Sequence, residues 1–330
     1  MICELEDKIF TVREDSFEAM ALEVFRWQYA ENQLYRSFCE ALSRKPARIN
    51  AIHEIPFIPV SFFKQHEVRS GRWQPEAVFE SSGTTHTGNS RHFVQSLELY
   101  RRSFEAAFEL FYGDPSGWCI LGLLPSYLER QHSSLVLMVD RLIKKSGHPS
   151  AGFFLNNISE LLGVIAQNEA VGQKTLVIGV TFALLDLAEN HQLDLHHTVI
   201  METGGMKGRR EEITREALHE RLMHSFGVSS IHSEYGMTEL LSQAYSAGEG
   251  LFSCPPWMKI LLREEDDPMT TIQHSGAQTG LVNIIDLANL YSCAFIAIDD
   301  IGRLHPDNRF EILGRMDSSD VRGCSLMYVV

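Results

Sequence analysis

The N-terminal quarter of the chain begins with apolar residues at helical spacing. Between residues 16 and 42 they recur every three to four positions, behind Asp15 and Glu18 in the arrangement of a capping box, which predicts one amphipathic helix. Residues 45–73 contain three prolines between short apolar runs, which indicates irregular structure or the edge of a sheet. We therefore expect residues 1–75 to form an N-terminal helical layer that packs on the rest of the chain.

Apolar runs and amphipathic stretches alternate over the central part of the chain, after a polar loop at residues 81–91. Short apolar runs predict buried strands, and stretches with a helical period predict the helices between them. The predicted strands cover 118–124, 175–180, 198–201 and 228–231, and the predicted helices cover 97–111, 133–145, 158–168, 183–190 and 210–224. This alternation predicts an α/β fold with a parallel sheet flanked by helices. Ligands of such sheets bind beyond the carboxyl ends of the strands.

The pattern changes again after residue 250. Apolar runs at 252–262, 280–287 and 294–298 have no helical stretches between them. We expect these runs to form a smaller antiparallel sheet or barrel beside the main sheet. The expected organisation is then the N-terminal layer, a core over 76–312 and a short tail over 313–330.

Composition and charge narrow the classes of function. The 330 residues carry a net charge of −14, which argues against a general nucleic-acid binder, whose surface must be basic. No apolar run approaches the ~18 residues of a membrane span, and residues 1–10 are acidic without the features of a signal peptide. We expect a cytoplasmic protein without a membrane span. The six cysteines form no CxxC pair, so neither a usual zinc site nor a disulfide framework is indicated.

The loop at residues 81–91 concentrates hydroxyl groups and glycines and ends in a cation. Its residues are Ser81, Ser82, Gly83, Thr84, Thr85, His86, Thr87, Gly88, Asn89, Ser90 and Arg91. Glycines expose backbone N–H groups, hydroxyls donate to phosphate oxygens and an arginine adds a fork of donors, so the loop suits a polyphosphate. Asn89 stands where the P-loop motif requires lysine, and a solvated turn is the simpler interpretation of the loop taken alone.

Two later turns also place polar residues after predicted strands. In the first, Gly204 and Gly205 precede cations and the start of a helix, where an anion would be attracted; a strand-to-helix turn with solvated charges is the alternative. In the second, Tyr235 offers a ring for stacking on a base, Thr238 a hydroxyl for a phosphate and Glu239 a carboxylate for magnesium. An ordinary strand end capped by Thr238 is the alternative there.

The last candidate combines Asp300 with the segment Gly314-Arg315-Met316-Asp317. A carboxylate that accepts from both hydroxyls is a common way to hold a ribose. Aspartates in turns are usually solvated, so this pair is informative only together with the other turns.

Taken in order, four short motifs resemble the adenylate-forming superfamily, which includes acyl-CoA synthetases, the adenylation domains of peptide synthetases and firefly luciferase. The motifs are Ser81-Ser82-Gly83-Thr84-Thr85, Tyr235-Gly236-Met237-Thr238-Glu239, Asp300-Ile301-Gly302 and Gly314-Arg315-Met316-Asp317. The resemblance covers residues 78–323 and implies the fold of the large N-terminal domain of that superfamily. Each motif is short, so the order and spacing carry the resemblance.

Within the superfamily, the chain is most similar to the acyl-protein synthetases of bacterial fatty acid reductase complexes, with the phenylacetate–CoA ligases as a neighbouring branch. The sequence stops shortly after Asp317, the hinge position, so the resemblance implies that the C-terminal mobile domain and its catalytic lysine are missing or reduced to a tail. Arg322-Gly323-Cys324-Ser325 stands there instead. A cysteine near the C-terminus accepts the acyl group in that family, which implies this role for Cys324.

The resemblance also implies a role for each matching residue of the phosphate loop. The residues that would bind the ATP phosphates are Ser81, Ser82, Gly83, Thr84 and Thr85. Arg91 stands where many members have lysine, and His86 with Thr87 resembles a two-residue insertion.

The remaining matches are assigned to the nucleotide and the metal. Gly204 and Gly205 would line the adenine pocket, and Tyr235, followed by Gly236, would stack on the base. Thr238 would contact the α-phosphate, Glu239 would bind Mg²⁺, Asp300 would hold the ribose and Arg315 would contact the ribose or the phosphates. The catalytic residues in this assignment are Cys324, Thr238, Glu239 and Arg91.

The implied activity is ATP-dependent activation of a carboxylic acid, expected to be a fatty acid, to an acyl-adenylate. Transfer to Cys324 and delivery to an acyl-accepting protein, such as a reductase or a carrier, would follow, with ATP and Mg²⁺ required. Two alternatives stay open: an acyl-CoA or acyl-carrier ligase that uses an external thiol, and a nucleotide-binding scaffold subunit without chemistry. The charge that replaces the missing lysine is also open, between Lys207, Arg91, Arg315 and another chain in a homo- or hetero-oligomer.

Overall fold

The computed structural model describes residues 2–81, 89–125, 132–204, 213–267, 269–273 and 276–316, without the side chain of Cys3. The helices in these ranges are α1 (Ile2–Ile9), α2 (Glu14–Glu31), α3 (Gln33–Ala41), α4 (Phe62–Gln65), α5 (Leu97–Tyr112), α6 (Ser134–Ser146), α7 (Ile158–Val171), α8 (Thr181–Asn190) and α9 (Arg215–Phe226). None of these helices is long and apolar enough to cross a lipid bilayer.

The strands of the described ranges form three sheets. They are β1 (Ile58–Pro59), β2 (Ala77–Glu80), β3 (Arg91–Val94), β4 (Cys119–Leu123), β5 (Gly152–Phe153), β6 (Thr175–Gly179), β7 (Thr198–Glu202), β8 (His232–Tyr235), β9 (Ala244–Ser246), β10 (Met258–Arg263), β11 (Gln278–Asp286), β12 (Phe295–Leu304) and β13 (Phe310–Arg315).

The largest sheet has the order β5-β4-β6-β7-β8-β9. Its first five strands are parallel, and β9 runs antiparallel to β8 at one edge. Every residue of β4 and of β6 is buried, as expected for strands covered on both faces. Helices α6 to α9 lie in the connections between these strands, so the predicted α/β alternation is confirmed.

The strand that ends at the candidate site is offset from the prediction. The apolar run at 228–231 predicts a strand there, but pairing with β7 and β9 starts at His232 and β8 ends at Tyr235. The prediction was wrong because the apolar signal precedes the residues whose backbones pair. Ile231 is buried just before the strand, while all four side chains of β8 are polar.

The smaller sheet has the order β1-β12-β11-β10, with β13 paired to β12. The strands β10 to β13 are antiparallel, and β1 runs parallel to β12. Within the described residues the sheet is open, so the barrel alternative is not what forms. The register of β12 and β13 sets Arg315 directly opposite Asp300. Strand β13 was not expected from the sequence, because its residues span the predicted boundary between the core, which was expected to end at 312, and the tail.

The N-terminal helices are joined to the turn between β11 and β12 by buried hydrogen bonds. The predicted single helix over 16–42 is two helices, because Asn32 is extended and its side chain caps α3 by accepting from the Tyr35 N–H. Gln28 Nε2 donates to the carbonyl of Asn289 at 2.9 Å, and Gln28 Oε1 accepts from the Ala294 N–H at 3.0 Å. These helices therefore pack on the segment that follows β11.

Candidate active site

The turn after β8, residues 236–243, carries the Thr238 and Glu239 of the sequence motif. Gly236 makes the first bend, and a Cβ atom there would lie only 2.4 Å from Glu234 Oε1, so a side chain would displace the carboxylate. Glu239 follows in the turn and is 5% exposed. The turn lies at the carboxyl end of a sheet strand, which is where α/β sheets bind their ligands.

Asp286, the last residue of β11, binds this turn through its carboxylate. Its carboxylate accepts from the Leu241 N–H at 2.8 Å and from the Ser242 N–H at 3.0 Å. It also accepts from Ser242 Oγ at 2.5 Å and from the Ala288 N–H at 3.1 Å. Burial raises the pKa of the Asp286 carboxyl to about 6, against these four hydrogen bonds, which favour the charged form. Asp286 thus fixes the backbone just beyond Glu239.

Glu239 is the point at which three sequence motifs meet. Burial raises the pKa of its carboxyl, while side-chain hydrogen bonding from Ser90 and the charges of Arg315 and Lys64 act in the opposite direction. Asn289 Nδ2 donates to the Glu239 carbonyl at 2.7 Å and so fixes the backbone as well. The carboxylate of Glu239 is therefore held near the end of the phosphate loop and within the field of Arg315.

Magnesium in nucleotide enzymes is usually bound by one or two carboxylates together with the substrate phosphates. A single buried carboxylate beside the loop end fits that donor set. The described residues contain no group of three or more His, Cys, Asp or Glu side chains placed to hold a metal alone. The Glu239 carboxylate is thus suited to a metal that arrives with a nucleotide.

The base of the phosphate loop is closed by Ser81 and Ser90. The Ser81 N–H donates to the Ser90 carbonyl at 3.1 Å, and the Ser90 N–H donates to Ser81 Oγ at 2.9 Å. Arg91 pairs with Glu80 across the β2–β3 hairpin and is exposed, with its guanidinium 5.5 Å from the centre of the Phe93 ring. Ser82, Gly83, Thr84 and Thr85 lie outside the described residues.

Tyr235 and Asp300 are brought together from strands 65 residues apart. The Tyr235 hydroxyl donates to Asp300 Oδ2 at 2.9 Å, and Arg315 Nε lies 3.9 Å from Asp300 Oδ1. The Tyr235 ring packs against Phe252 and Phe310, with ring centres 5.8 and 5.6 Å away. Burial raises the pKa of Asp300, and Tyr235 and Arg315 partly offset that shift. One face of the tyrosine and its hydroxyl are thus committed to protein contacts.

Gly204 follows β7 at the same end of the sheet. It has a φ of +71°, which favours glycine, and its N–H donates to Glu202 Oε2 at 2.6 Å. Burial acts to raise the pKa of Glu202, but His219 and Arg215, each 3.8 Å from Oε1, help to lower it. The charge of Glu202 therefore fixes the start of the glycine turn. Gly205 and Lys207 lie outside the described residues.

Hydrogen bonds and charge interactions link Ser81, Ser90, Tyr235, Glu239, Asp300 and Arg315. The motifs in the sequence do not point to Asp286, Asn289 and His92, which bind the turn from other elements. A signal for Asp286 exists, since it is a carboxylate at the end of the apolar run Leu281–Ile285. Asp317 and Cys324 lie outside the described residues.

Comparison with known proteins gives one family match. Residues 9–103 match the family model described as acyl-protein synthetase, LuxE. No curated protein matches the chain in sequence. The matched part includes the N-terminal helices, the loop at 81–91 and the first part of α5.

Solved structures extend the likeness over most of the chain. A 2-hydroxyisobutyryl-CoA ligase, solved with 2-HIB-AMP and CoA, aligns with a TM-score of 0.63 and 11% identity over 94% of this chain and 78% of that chain. The O-succinylbenzoate coenzyme A synthetase of Bacillus subtilis, solved with AMP, aligns with a TM-score of 0.48 and 16% identity over 74% of this chain and 64% of that chain.

A third structure, a long-chain-fatty-acid–CoA ligase from Archaeoglobus fulgidus, aligns with a TM-score of 0.48 and 14% identity over 72% of this chain and 51% of that chain. The first of the three alignments shows a shared fold. The chain therefore shares its fold with the 2-hydroxyisobutyryl-CoA ligase, as the resemblance to adenylate-forming enzymes predicts, and residues 9–103 match the acyl-protein synthetase family to which the resemblance points.

Proposed function

We propose that this chain activates a carboxylic acid with ATP, forming an acyl-adenylate and releasing pyrophosphate. The observation that carries the proposal is the environment of Glu239, where Ser90 from the phosphate loop and Arg315 from β13 act on one buried carboxylate. Residues far apart in sequence thus converge at the carboxyl end of β8. The match of residues 9–103 to an acyl-protein synthetase family supports the same reaction.

In the first step, a carboxylate oxygen of the acid attacks the α-phosphorus of ATP. The bond from that phosphorus to the bridging oxygen breaks, and pyrophosphate leaves with the electron pair. Mg²⁺, when bound with ATP at Glu239, would offset charge on the phosphates. Thr238 donates its hydroxyl to the α-phosphate, and Asp300 accepts from the ribose hydroxyls. Arg315 adds positive charge beside both carboxylates.

In the second step, the thiolate of Cys324 attacks the acyl carbon, forming a C–S bond while the bond to AMP breaks. The cysteines whose side chains are described do not suit this task. Burial raises the pKa of the Cys39 thiol to about 12, and it also raises the pKa of the Cys119, Cys254 and Cys293 thiols. Since the thiolate is the nucleophile, these four thiols are poor acceptors. Cys3 and Cys324 remain, and the resemblance to acyl-protein synthetases favours Cys324.

The further parts of the proposal concern the substrate and partners. The acid is a fatty acid, and the thioester on Cys324 is delivered to an acyl-accepting protein, such as a reductase or a carrier, in the cytoplasm. The second candidate is an acyl-CoA ligase with an external thiol, which is favoured by the fold shared with a 2-hydroxyisobutyryl-CoA ligase solved with CoA. A nucleotide-binding scaffold without chemistry is the third.

The test of the first step is carboxylate-dependent exchange of labelled pyrophosphate into ATP. Acids from acetate to palmitate, together with benzoate and phenylacetate, are compared at equal concentration. We expect exchange that requires Mg²⁺ and is greatest with a long-chain acid. Exchange with none of these acids, in protein that still binds ATP, would support the scaffold instead.

The test of the second step is the intact mass of the protein after incubation with ATP and the best acid. We expect a single acyl adduct that hydroxylamine removes, retained in Cys254→Ser and lost in Cys324→Ser. Pyrophosphate exchange should survive in both variants, because adenylation precedes thiol attack. An unchanged adduct in Cys324→Ser would reject self-acylation. Full acyl transfer to coenzyme A by Cys324→Ser would reject it as well.

A further inference from the structure

His92 lies in β3, one residue beyond Arg91, and its side chain is 1% exposed. Both ring nitrogens are within hydrogen-bond distance of a partner. Nδ1 is 2.9 Å from the carbonyl oxygen of Thr238, and Nε2 is 3.0 Å from Ser292 Oγ. The Phe63 ring packs nearly perpendicular to the imidazole, with ring centres 5.6 Å apart. The imidazole is therefore enclosed and has a single orientation.

The partners of His92 determine which nitrogen carries the proton. A carbonyl oxygen only accepts hydrogen bonds, so Nδ1 must carry a hydrogen and donate it to Thr238. Burial lowers the pKa of His92 to about 4, so the ring is neutral near pH 7 and Nε2 has no hydrogen. Nε2 then accepts from the Ser292 hydroxyl. The contacts thus select one neutral tautomer.

This imidazole joins two segments whose relative position matters for the proposed reaction. On one side, β3 continues from Ser90, whose N–H is bonded to Ser81 Oγ at 2.9 Å at the base of the phosphate loop. On the other side, the Thr238 carbonyl belongs to the turn that presents Thr238 and Glu239. The two segments are 146 residues apart in the sequence, and His92 bonds them directly.

The turn after β11 holds the His92 side chain in place through Ser292. Ser292, the partner of Nε2, has its backbone carbonyl bonded by Asn32 Nδ2 at 3.0 Å and by Ser70 Oγ at 2.6 Å. Ser292 therefore cannot shift without breaking other buried hydrogen bonds, and its hydroxyl is a fixed donor to the imidazole. A hydrogen bond from a fixed donor preserves the tautomer and the direction of Nδ1.

We propose that His92 is a positioning residue for adenylation, whose Nδ1–H tautomer fixes the Thr238–Glu239 turn against the phosphate loop. This inference rests on the proposed function, since it assigns His92 to the geometry of that same reaction. His92 does not touch the nucleotide; it acts through the backbone of Thr238. Its loss should therefore lower the rate of adenylation clearly while the melting temperature changes little.

Two uncharged replacements separate the two ring nitrogens. In His92→Asn, the side-chain NH₂ stands near the position of Nδ1 and donates to Thr238. In His92→Gln, the longer side chain places its amide near Nε2, so the bond to Thr238 is lost. We expect kcat for pyrophosphate exchange within about threefold of wild type in His92→Asn and roughly 10-fold to 100-fold lower in His92→Gln. The melting temperatures of the two variants should be similar, and His224→Asn, on the exposed face of α9, controls for loss of a histidine.

The tautomer is measured independently of activity by ¹⁵N NMR of histidine-labelled protein, with His92→Asn used to assign the signal. We expect a protonated Nδ1 and an unprotonated Nε2. Hydrogen exchange at the Leu241 and Ser242 amides should be faster in His92→Gln than in His92→Asn. If the wild-type chain catalyses no exchange with any acid, the proposed function fails, and these two measurements still decide whether His92 orders the turn.

The inference is overturned by either of two results. One is an Nε2–H tautomer in the wild-type protein. The other is an equal loss of kcat in His92→Asn and His92→Gln when the two variants are equally stable. If the wild-type protein catalyses no pyrophosphate exchange, equal loss of protection at the Leu241 and Ser242 amides has the same meaning. Equal loss would mean that the imidazole only fills space in the core.

Discussion

The turn at 237–242 and the Asp300–Arg315 strand pair both adjoin β8, but they are fixed in different ways. The turn is bonded by the side chains of Asp286 and Asn289, both 0% exposed, and by His92. Across β12 and β13, Asp300 and Arg315 form an ion pair at 3.9 Å, and the Arg315 side chain is 63% exposed. The turn is anchored by buried hydrogen bonds, whereas the Arg315 side chain is joined to Asp300 by a largely solvated ion pair.

The difference shows which part of the site is ready before a ligand arrives. Breaking a buried hydrogen bond leaves an unsatisfied group and costs about 1–3 kcal/mol, so the turn has one stable arrangement. An exposed ion pair contributes about 0–1 kcal/mol, so the Arg315 side chain is free to reorient. We therefore infer that the Thr238–Glu239 turn is preorganised, while the Arg315 side chain adjusts when a ligand binds.

The largest effect is expected from Glu239→Gln. The amide keeps the shape of the side chain but lacks the charge that would bind Mg²⁺. We expect pyrophosphate exchange to fall at least about 100-fold, with the melting temperature almost unchanged. Exchange is measured over a Mg²⁺ titration, with Glu249→Gln as a control on a surface turn away from the site. Activity within threefold of wild type would remove Glu239 from the metal site.

The next largest effect is expected from Asp286→Ala, which deletes the acceptor of four hydrogen bonds, three of them from the turn. We expect the free energy of unfolding to fall by about 3 kcal/mol, as measured by urea denaturation. The free energy of unfolding should fall by less in Asp286→Asn, which keeps one acceptor oxygen. Asp307→Ala, an exposed aspartate paired with Arg309, should change stability little. Equal stability of Asp286→Ala and Asp307→Ala would contradict the anchored turn.

The pH dependence of stability should separate Asp286 from His92. The folded-state pKa of Asp286, about 6, is above its unfolded value of about 3.9, so its contribution to stability is lost as pH rises through 6. The folded-state pKa of His92, about 4, is below its unfolded value of about 6.5, so stability is lost as pH falls from 6.5 towards 4. On acidification from pH 6.5 to 4, Asp286→Asn should lose stability more steeply than wild type, and His92→Asn less steeply. Unfolding free energies measured across this range test the prediction, and slopes that change in the same direction in both variants would contradict it.

A smaller effect is expected from Tyr235→Phe, which removes the hydroxyl bonded to Asp300 at 2.9 Å. The ring still packs against Phe252 and Phe310, so the fold should be retained. We expect the KM for ATP to rise roughly 10-fold with kcat changed less than threefold, because Asp300 loses its fixed orientation. Steady-state exchange at varied ATP measures both parameters, with Tyr29→Phe as a control far from the site. A fall in kcat without a change in KM would place Tyr235 in the chemical step instead.

The smallest effect is expected from Arg315→Ala on stability, because the side chain is mostly exposed and its ion pair is long. Unfolding free energy should change by less than about 1 kcal/mol, and the change should vanish at high salt. The KM for ATP should rise a few-fold if Arg315 reorients onto the nucleotide. A stability loss as large as that of Asp286→Ala would show that the two regions are anchored alike.

The motifs and the strand–helix alternation could be predicted from the sequence because both depend on neighbouring residues. Tyr235, Thr238 and Glu239 form one short segment, and helix α5 was predicted to within one residue of its end. The anchoring of the turn could not be predicted, because Asp286 and Asn289 reach it from β11 and beyond, 44 to 50 residues away. The pairing of Arg315 with Asp300 likewise depends on the register of two strands, which local patterns do not specify.

The buried bonds of Gln28 have a consequence for the synthesis of the chain. The hydrogen bond from the Ala294 N–H to the Gln28 amide oxygen can form only after 266 further residues have been synthesised. At ribosomal rates of about 5–20 residues per second, this delay is roughly 13 to 50 seconds. During that interval α2 exposes a face containing Phe17, Val24 and Phe25, which are buried in the finished fold. The nascent chain therefore offers chaperones an apolar helix long before the turn that supports Glu239 has been made.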